Sequence, residues 1–112
     1  AIDDARASAA YKIAAEAGDA ACQHQLGFMY YKGLGVTKDL VQARTWFQKS
    51  ADQDDEHAPC ALGTMMVRGE GGAMDVNAGH ALWQSAAAQG HVKAQANLEK
   101  LSAVLGGAEF SL

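Results

Sequence analysis

Two residue types that could carry out chemistry, histidine and cysteine, recur at helical spacing in the middle of the chain. His57 and Cys60 would share one face of a helix, and His24 lies 36 residues before Cys60. A zinc site needs three or four such ligands in a tetrahedral arrangement. A Cys–His nucleophile needs a base within hydrogen-bond reach and a site for an oxyanion. The sequence shows no paired ligand motif, and we expect His80 and His91 at the surface, away from this group.

Two readings of this group therefore stay open. In the first, His57, Cys60 and His24 serve a metal-dependent or Cys/His-based enzyme or regulator. In the second, they are ordinary packing or surface residues, and Cys22 and Cys60 are buried free thiols. We predict the second: no enzyme, no catalytic residue, no metal and no cofactor.

Composition limits the classes of partner. The chain has 112 residues, enough for one domain, with a formal net charge of −4 and a single proline, Pro59. The mild negative charge opposes nucleic-acid binding, which needs clustered Lys and Arg. No apolar stretch is long enough for membrane insertion, and the first residues do not resemble a signal peptide. We expect a soluble protein of the bacterial cytoplasm or periplasm and no small-molecule substrate.

An internal repeat organises the chain. A shift of 36 residues aligns the sequence with itself without a gap, which is the signature of a stacked repeat protein. The residues that coincide include three leucines, three aspartates and an aromatic series: Leu26, Leu62 and Leu98; Asp3, Asp39 and Asp75; Tyr11, Phe47 and Trp83. Each repeat has two stretches with helical periodicity.

The pattern predicts six helices and no strands. The first helix of each repeat is expected over 20–31, 58–67 and 92–104, and the second over 3–17, 39–53 and 75–89. We predict an all-α, right-handed superhelix (solenoid) of stacked helix pairs. Its single domain, 1–112, comprises a half repeat (1–18), two repeats (19–54 and 55–90), a half repeat (91–106) and a tail (107–112).

Polar and glycine residues mark the predicted helix ends. Asp3, Asp39 and Asp75 precede the second helices, where a carboxylate can accept backbone N–H groups of the first turn. Gly33 and Gly69 follow the first helices, where a left-handed residue is expected. The pair Gly106-Gly107 is expected to end the last helix.

Two segments of the first complete repeat carry a family pattern: Leu26-Gly27-Phe28-Met29-Tyr30-Tyr31-Lys32-Gly33-Leu34-Gly35-Val36-Thr37-Lys38-Asp39 and Ala43-Arg44-Thr45-Trp46-Phe47-Gln48-Lys49-Ser50-Ala51. They resemble the Sel-1-like repeat family, a relative of the tetratricopeptide repeat. The second copy is looser. The resemblance covers about residues 3–102. It implies a right-handed α-superhelix that acts as a binding scaffold in bacterial signalling, envelope or secretion assemblies.

In such stacks the first helices line the concave surface, which the resemblance makes the expected site for a protein or peptide. The residues on that face that the core does not use are candidate partner-binding residues: His24, Phe28, Tyr31, Lys32, Thr64, Val67, Arg68 and Lys100. We predict a groove with aromatic anchors and a basic edge, suited to a peptide with apolar and acidic side chains. The alternatives are that Phe28 packs locally and the basic groups are merely solvated, or that the chain is a structural spacer. Trp46 is expected in the core.

Overall fold

The computed structural model describes the backbone of residues 4–110 and the side chains of residues 4–101 and 103. This part of the chain forms six helices and no strands, as the repeat predicts. The helices in chain order are α1 (Asp4–Glu16), α2 (Ala20–Lys32), α3 (Leu40–Ala51), α4 (Ala58–Arg68), α5 (Val76–Ala88) and α6 (Val92–Phe110). The first helices of the repeats are α2, α4 and α6, and the second helices are α1, α3 and α5.

The end of α6 differs from the prediction. The helix continues through Gly106 and Gly107 to Phe110, so the expectation that this glycine pair ends it is wrong. Glycine is less favourable than alanine within a helix by about 1 kcal/mol, but it keeps the backbone N–H that the helix hydrogen bond requires. A glycine pair therefore weakens a helix without breaking it, unlike a proline.

Aspartate side chains cap three of the helices that follow α1, and a fourth, α4, has an aspartate in the turn before it. The Oδ1 atom of Asp39 accepts from the N–H of Gln42 at 3.1 Å, and that of Asp75 accepts from Ala78 at 2.9 Å, as predicted. Asp19 acts in the same way and accepts from the N–H of Cys22 at the start of α2. Asp55 lies two residues before the N-cap of α4, His57, and accepts from the N–H of Ala58, the first residue of that helix. Asp3 lies outside the described residues.

The α2 and α4 helices end at glycines in the left-handed conformation. Gly33 has φ of 75° and donates its N–H to the carbonyl of Met29, and Gly69 has φ of 71°. Without a Cβ atom, glycine adopts this conformation without steric cost. The predicted helix ends at both residues are confirmed.

The six helices stack along one direction. Each packs mainly against the helix before it and the helix after it in the chain. The structure measures 52 × 25 × 24 Å along its principal axes. Leu26 and Leu62 are completely buried between neighbouring helices, and Trp46 is buried with Ala15 and Leu26, which confirms its place in the core. The fold is an all-α solenoid, whose stability is approximately the sum of contributions from within each repeat and from the contacts between neighbouring repeats.

Glycine allows the two helices of one repeat to touch through their backbones. A Cβ atom on Gly63 of α4 would lie 2.9 Å from the carbonyl oxygen of Gly79 in α5 and 2.8 Å from Cδ1 of Trp83. A Cβ atom on Gly79 would in turn lie 2.7 Å from the carbonyl oxygen of Gly63. Neither position has room for a side chain, which explains why α4 tolerates an unfavourable residue in its interior.

Hydrogen bonds also join one repeat to the next. The Nη1 atom of Arg44, in α3, donates to the carbonyl of Ala73 at 2.9 Å and to that of Glu70 at 3.3 Å. Both acceptors lie in the loop between α4 and α5. The guanidinium group therefore fixes this loop against the preceding repeat.

Among the helices of the described part of the chain, none is both long and apolar enough to cross a bilayer.

We predict that Gly63→Ala lowers the free energy of unfolding by about 1–3 kcal/mol, the usual cost of overfilling a packed interface. The new methyl group would push α4 away from Trp83 and the α5 backbone. Urea denaturation followed by circular dichroism measures the change. Gln84→Ala, on the exposed side of α5, is the control and should change the value by less than about 0.5 kcal/mol. A stabilised Gly63→Ala protein would contradict the close approach.

Candidate functional site

One face of the solenoid holds a cavity of about 950 Å³, which we call the α2/α4/α6 groove because side chains of these three helices form most of its lining. The turn between α5 and α6 completes it at one end. The first helices all face the same side of the stack, so residues one repeat apart line neighbouring parts of the groove. This arrangement brings together seven of the eight predicted binding residues: His24, Phe28, Tyr31, Lys32, Thr64, Arg68 and Lys100.

Val67 is the predicted residue that the structure does not bring to the groove. Its side chain turns towards α5, and its Cγ2 atom lies 2.6 Å from where a Cβ of Gly79 would stand. The missing side chain of Gly79 leaves a depression, and Val67 fills it as part of the cluster around Trp83. Tyr31, at the equivalent position of the preceding repeat, lines the groove. In that repeat Ala43 stands at the position equivalent to Gly79.

Basic side chains dominate the charge of the groove. Lys32, Arg68 and Lys100 line it, together with Lys93, which we did not include among the predicted binding residues. The acidic residue among the lining side chains that the structure describes is Glu56. The groove thus carries the opposite sign to the chain as a whole, whose net charge is −4.

Tyr31 connects the basic edge to the next repeat. Its hydroxyl donates to Oε1 of Glu70 at 2.8 Å and accepts from Nη1 of Arg68 at 3.4 Å. Burial, followed by the hydrogen bond to Glu70, raises the pKa of Tyr31 above its usual value. The hydroxyl is therefore a neutral donor with its own partner, which leaves the ring as the part of Tyr31 that a ligand can contact.

Phe28 is the exposed aromatic residue of the groove. Its side chain is 40% exposed, and the ammonium group of Lys32 lies 6.0 Å from the ring centroid. An exposed phenyl ring with a nearby cation offers both apolar contact area and a positive charge. Phe28 therefore combines partial packing against the protein with a part of its surface that faces solvent.

Cys60 lies in the floor of the groove and is 5% exposed. The amide nitrogen of Asn97 approaches its sulfur at 3.7 Å, and Nε1 of Trp83 donates to its carbonyl at 3.1 Å. Burial is the main cause that raises the pKa of the thiol, while Lys93 and Asn97 act in the other direction. A thiol with a raised pKa and little exposure is a poor nucleophile. Cys22, which is half-buried, is also a free thiol.

Three histidines meet at one end of the groove. The rings of His24 and His57 are stacked with centroids 5.7 Å apart, and those of His57 and His91 meet edge to face at 5.4 Å. The expectation that His91 lies away from this group is wrong. It immediately precedes α6, and the turn after α5 brings that helix start beside α4. The 36-residue repeat did not predict that His91 would join this group, because His91 aligns with Asp55 and not with His57.

These histidines do not form a metal site with Cys60. Among the side chains that the structure describes, no group of three or more His, Cys, Asp or Glu residues is placed to hold a metal ion. The i, i+3 spacing does put His57 and Cys60 on neighbouring parts of α4. Cys60, however, points into the cluster around Trp83, whereas His57 is exposed and stacks on other rings.

Comparisons with known proteins agree with the geometry. A family model described as the Sel1 repeat matches residues 20–55 and 58–91. The solved structure of a protective antigen of uropathogenic Escherichia coli with an SLR fold is 35% identical and superposes with a TM-score of 0.85. The match covers 88% of this chain and 21% of that one. A Sel1 repeat protein from Oxalobacter formigenes is 33% identical with a TM-score of 0.77, over 84% of this chain and 39% of that one.

The secretory immunoglobulin A-binding protein EsiB of Escherichia coli O6:H1 is 46% identical over 39 residues. This match covers 35% of the present chain and 8% of EsiB. The chain therefore spans well under half the length of each of these three proteins.

We predict that Cys60 reacts with a thiol reagent much more slowly in the native protein than in urea, because it is buried and its pKa is raised. Labelling of a Cys22→Ser variant with a chromogenic disulfide at pH 8 isolates Cys60, and a Cys60→Ser variant reports on the more exposed Cys22. Equal rates for Cys60 in native and unfolded protein would favour the reading of this residue as a reactive group.

Proposed function

The chain belongs to the Sel1 repeat family, and from this premise we propose that it is a protein-interaction module whose α2/α4/α6 groove binds an acidic, partly apolar segment of a partner protein. Sel1 repeats generally act in protein–protein interaction, and proteins built from them are typically scaffolds without enzymatic activity. EsiB is by its name a protein that binds another protein. These relationships support the class of function and leave the ligand to be argued from the groove.

The charge of the groove is the observation that carries the proposal. Four cationic side chains, Lys32, Arg68, Lys93 and Lys100, line one cavity of a chain that is negative overall. Like charges repel one another, so collecting them in a concave surface is unfavourable until an anionic ligand occupies it. Charge complementarity of this kind also speeds association and excludes ligands of the wrong sign.

Apolar surface in the same groove supports a polypeptide ligand over a small anion. The Phe28 ring is exposed, and the ring of Tyr31 lies one turn further along the same helix. Aromatic and arginine side chains supply much of the energy of protein interfaces. A segment with an aliphatic or aromatic residue near one or two carboxylates would match both features.

A bacterial signalling, envelope or secretion assembly is the proposed setting. Its support is that the two solved relatives described above come from bacteria. The enzyme or regulator alternative based on His57, Cys60 and His24 has less support, since the thiol is buried and the described side chains form no three-ligand group. A spacer role would leave the groove empty, so the binding experiment below distinguishes it.

We predict that peptides selected by the protein from a random display library are enriched in Asp, Glu and large apolar residues. Their affinity, measured by fluorescence anisotropy, should fall by about tenfold or more in the Lys32→Glu/Arg68→Glu variant. A tenfold loss corresponds to about 1.4 kcal/mol, within reach of two charge reversals at an interface. Binding to the wild type should also weaken with added salt.

Lys12→Glu/Lys38→Glu is the matched control, because it makes the same change of net charge at exposed positions outside the groove. It should bind as the wild type does. Circular dichroism must show that both variants fold. Selection of no peptides favours the spacer, and equal loss in both variants would show that net charge rather than the groove controls binding.

A further inference from the structure

The three adjacent histidines, which we call the histidine ladder (His24, His57 and His91), connect three consecutive first helices. His24 lies on α2, His57 precedes α4, and His91 precedes α6. The Nδ1 atom of His57 and the Nε2 atom of His91 are 3.3 Å apart, within hydrogen-bond distance. Nε2 of His57 lies 3.4 Å from a carboxylate oxygen of Glu56.

His91 also occupies a position where the two preceding repeats have an aspartate. The Nδ1 atom of His91 accepts from the N–H of Ala94 at 3.3 Å, as Asp19 and Asp55 accept at the starts of α2 and α4. An aspartate stays ionised down to about pH 4, whereas an imidazole gains a proton near pH 6.5. The cap of α6 is therefore the one of these three whose acceptor is an imidazole, which takes up a proton at a higher pH than a carboxylate does.

The hydrogen bonds fix where the protons of the ladder lie. Because Nδ1 of His91 accepts from Ala94, it carries no hydrogen, and the proton of the neutral ring must be on Nε2. That Nε2–H donates to Nδ1 of His57, which leaves the proton of His57 on Nε2, facing Glu56. One arrangement of hydrogens satisfies all three contacts, and in it both rings are neutral.

An added proton breaks one of these contacts. On His91 it would occupy Nδ1 and face the N–H of Ala94, so the cap of α6 would be lost. A proton added to Nδ1 of His57 would face the Nε2–H of His91, so the two hydrogens would clash. His91 could relieve the clash only by carrying its own proton on Nδ1 instead of Nε2, and that again removes the cap of α6. A cation at the first turn of α6 would in addition oppose the helix dipole.

The charged groups around the ladder act in both directions. Lys93 on α6 disfavours an added proton, whereas Asp55 and Glu56, in the turn before α4, favour one, and the Cys60 thiol on α4 is neutral. Asp55 already accepts hydrogen bonds from the N–H groups of His57 and Ala58. Burial lowers the pKa of both His24 and His91, and the neighbouring histidines and Lys93 lower them further, against the opposing carboxylates.

The sign of the pH dependence follows. Because the folded state lowers the pKa of His24 and His91, the unfolded chain binds more protons below about pH 6.5. The stability that depends on the neutral rings is therefore complete above that pH and is lost as the pH falls.

We propose that the histidine ladder is a proton-sensitive joint, which holds the first turn of α6 against α4 while the rings are neutral and loosens it in mildly acidic surroundings. The joint does not require a ligand in the groove, so a test of the joint does not depend on whether the proposed function is correct. The turn that it loosens carries Lys93, one of the cations of the groove. Acidification thus changes the shape of one end of the groove.

Amide hydrogen exchange of the full chain, followed by NMR at pH 7.5 and pH 5.5, tests the joint. After correction for the intrinsic rate, protection of the Ala94 and Gln95 amides in the wild type should fall by about fivefold or more at the lower pH. Loss of one helix cap has an effect of this size. In His91→Asp, which places at α6 the residue found at the starts of α2 and α4, protection should be the same at both pH values.

The control is His80→Asp, the same substitution on α5 at a histidine outside the ladder, which should lose protection as the wild type does. Unchanged wild-type protection, or an equal loss in His91→Asp, would overturn the proposal. The ring ¹⁵N shifts of the wild type at pH 7.5 give a test that requires no variant. They should show the proton of His91 on Nε2, and a proton on Nδ1 would contradict the joint.

Discussion

The close contact between the two helices of each repeat is the constraint on which the rest of the structure depends. At Gly63 and Gly79 the backbones of α4 and α5 meet directly, and at Gly27 a Cβ atom would lie only 2.9 Å from the phenyl ring of Phe47. This approach sets the distance between the first and second helices. It therefore also sets how far the first helices project, and hence the depth of the groove that they line. A bulkier residue at either glycine of α4 and α5 would move a groove wall.

The fold was largely predictable because its signals are local and repeated. The positions of Asp39 and Asp75 before their helices, and of glycines after α2 and α4, require only short-range hydrogen bonds, and the period of 36 residues supplies several copies of each signal. The end of α6 was not predictable in this way. Glycine weakens a helix without excluding it, so the pair Gly106-Gly107 is an ambiguous signal.

The candidate site was predictable in outline and less so in detail, because side-chain direction depends on what lies opposite. Tyr31 and Val67 occupy equivalent positions, yet Val67 turns inward because Gly79 leaves space where the other repeat has Ala43. His91 was missed because it enters the group from a helix start, out of register with His57. Alignment of repeats identifies which residues are equivalent, whereas the fit of unequal side chains decides which of them meet.

The bond from Arg44 to the loop between α4 and α5 has a mechanical consequence. In a stack where each helix packs mainly against its neighbours in the chain, a pulling force passes through every junction in turn. Arg44 reaches across one such junction to two backbone carbonyls of the loop between α4 and α5. These two hydrogen bonds oppose twisting of one repeat against the next. Resistance to twisting would hold the two repeats in a constant orientation while the solenoid bends along its length.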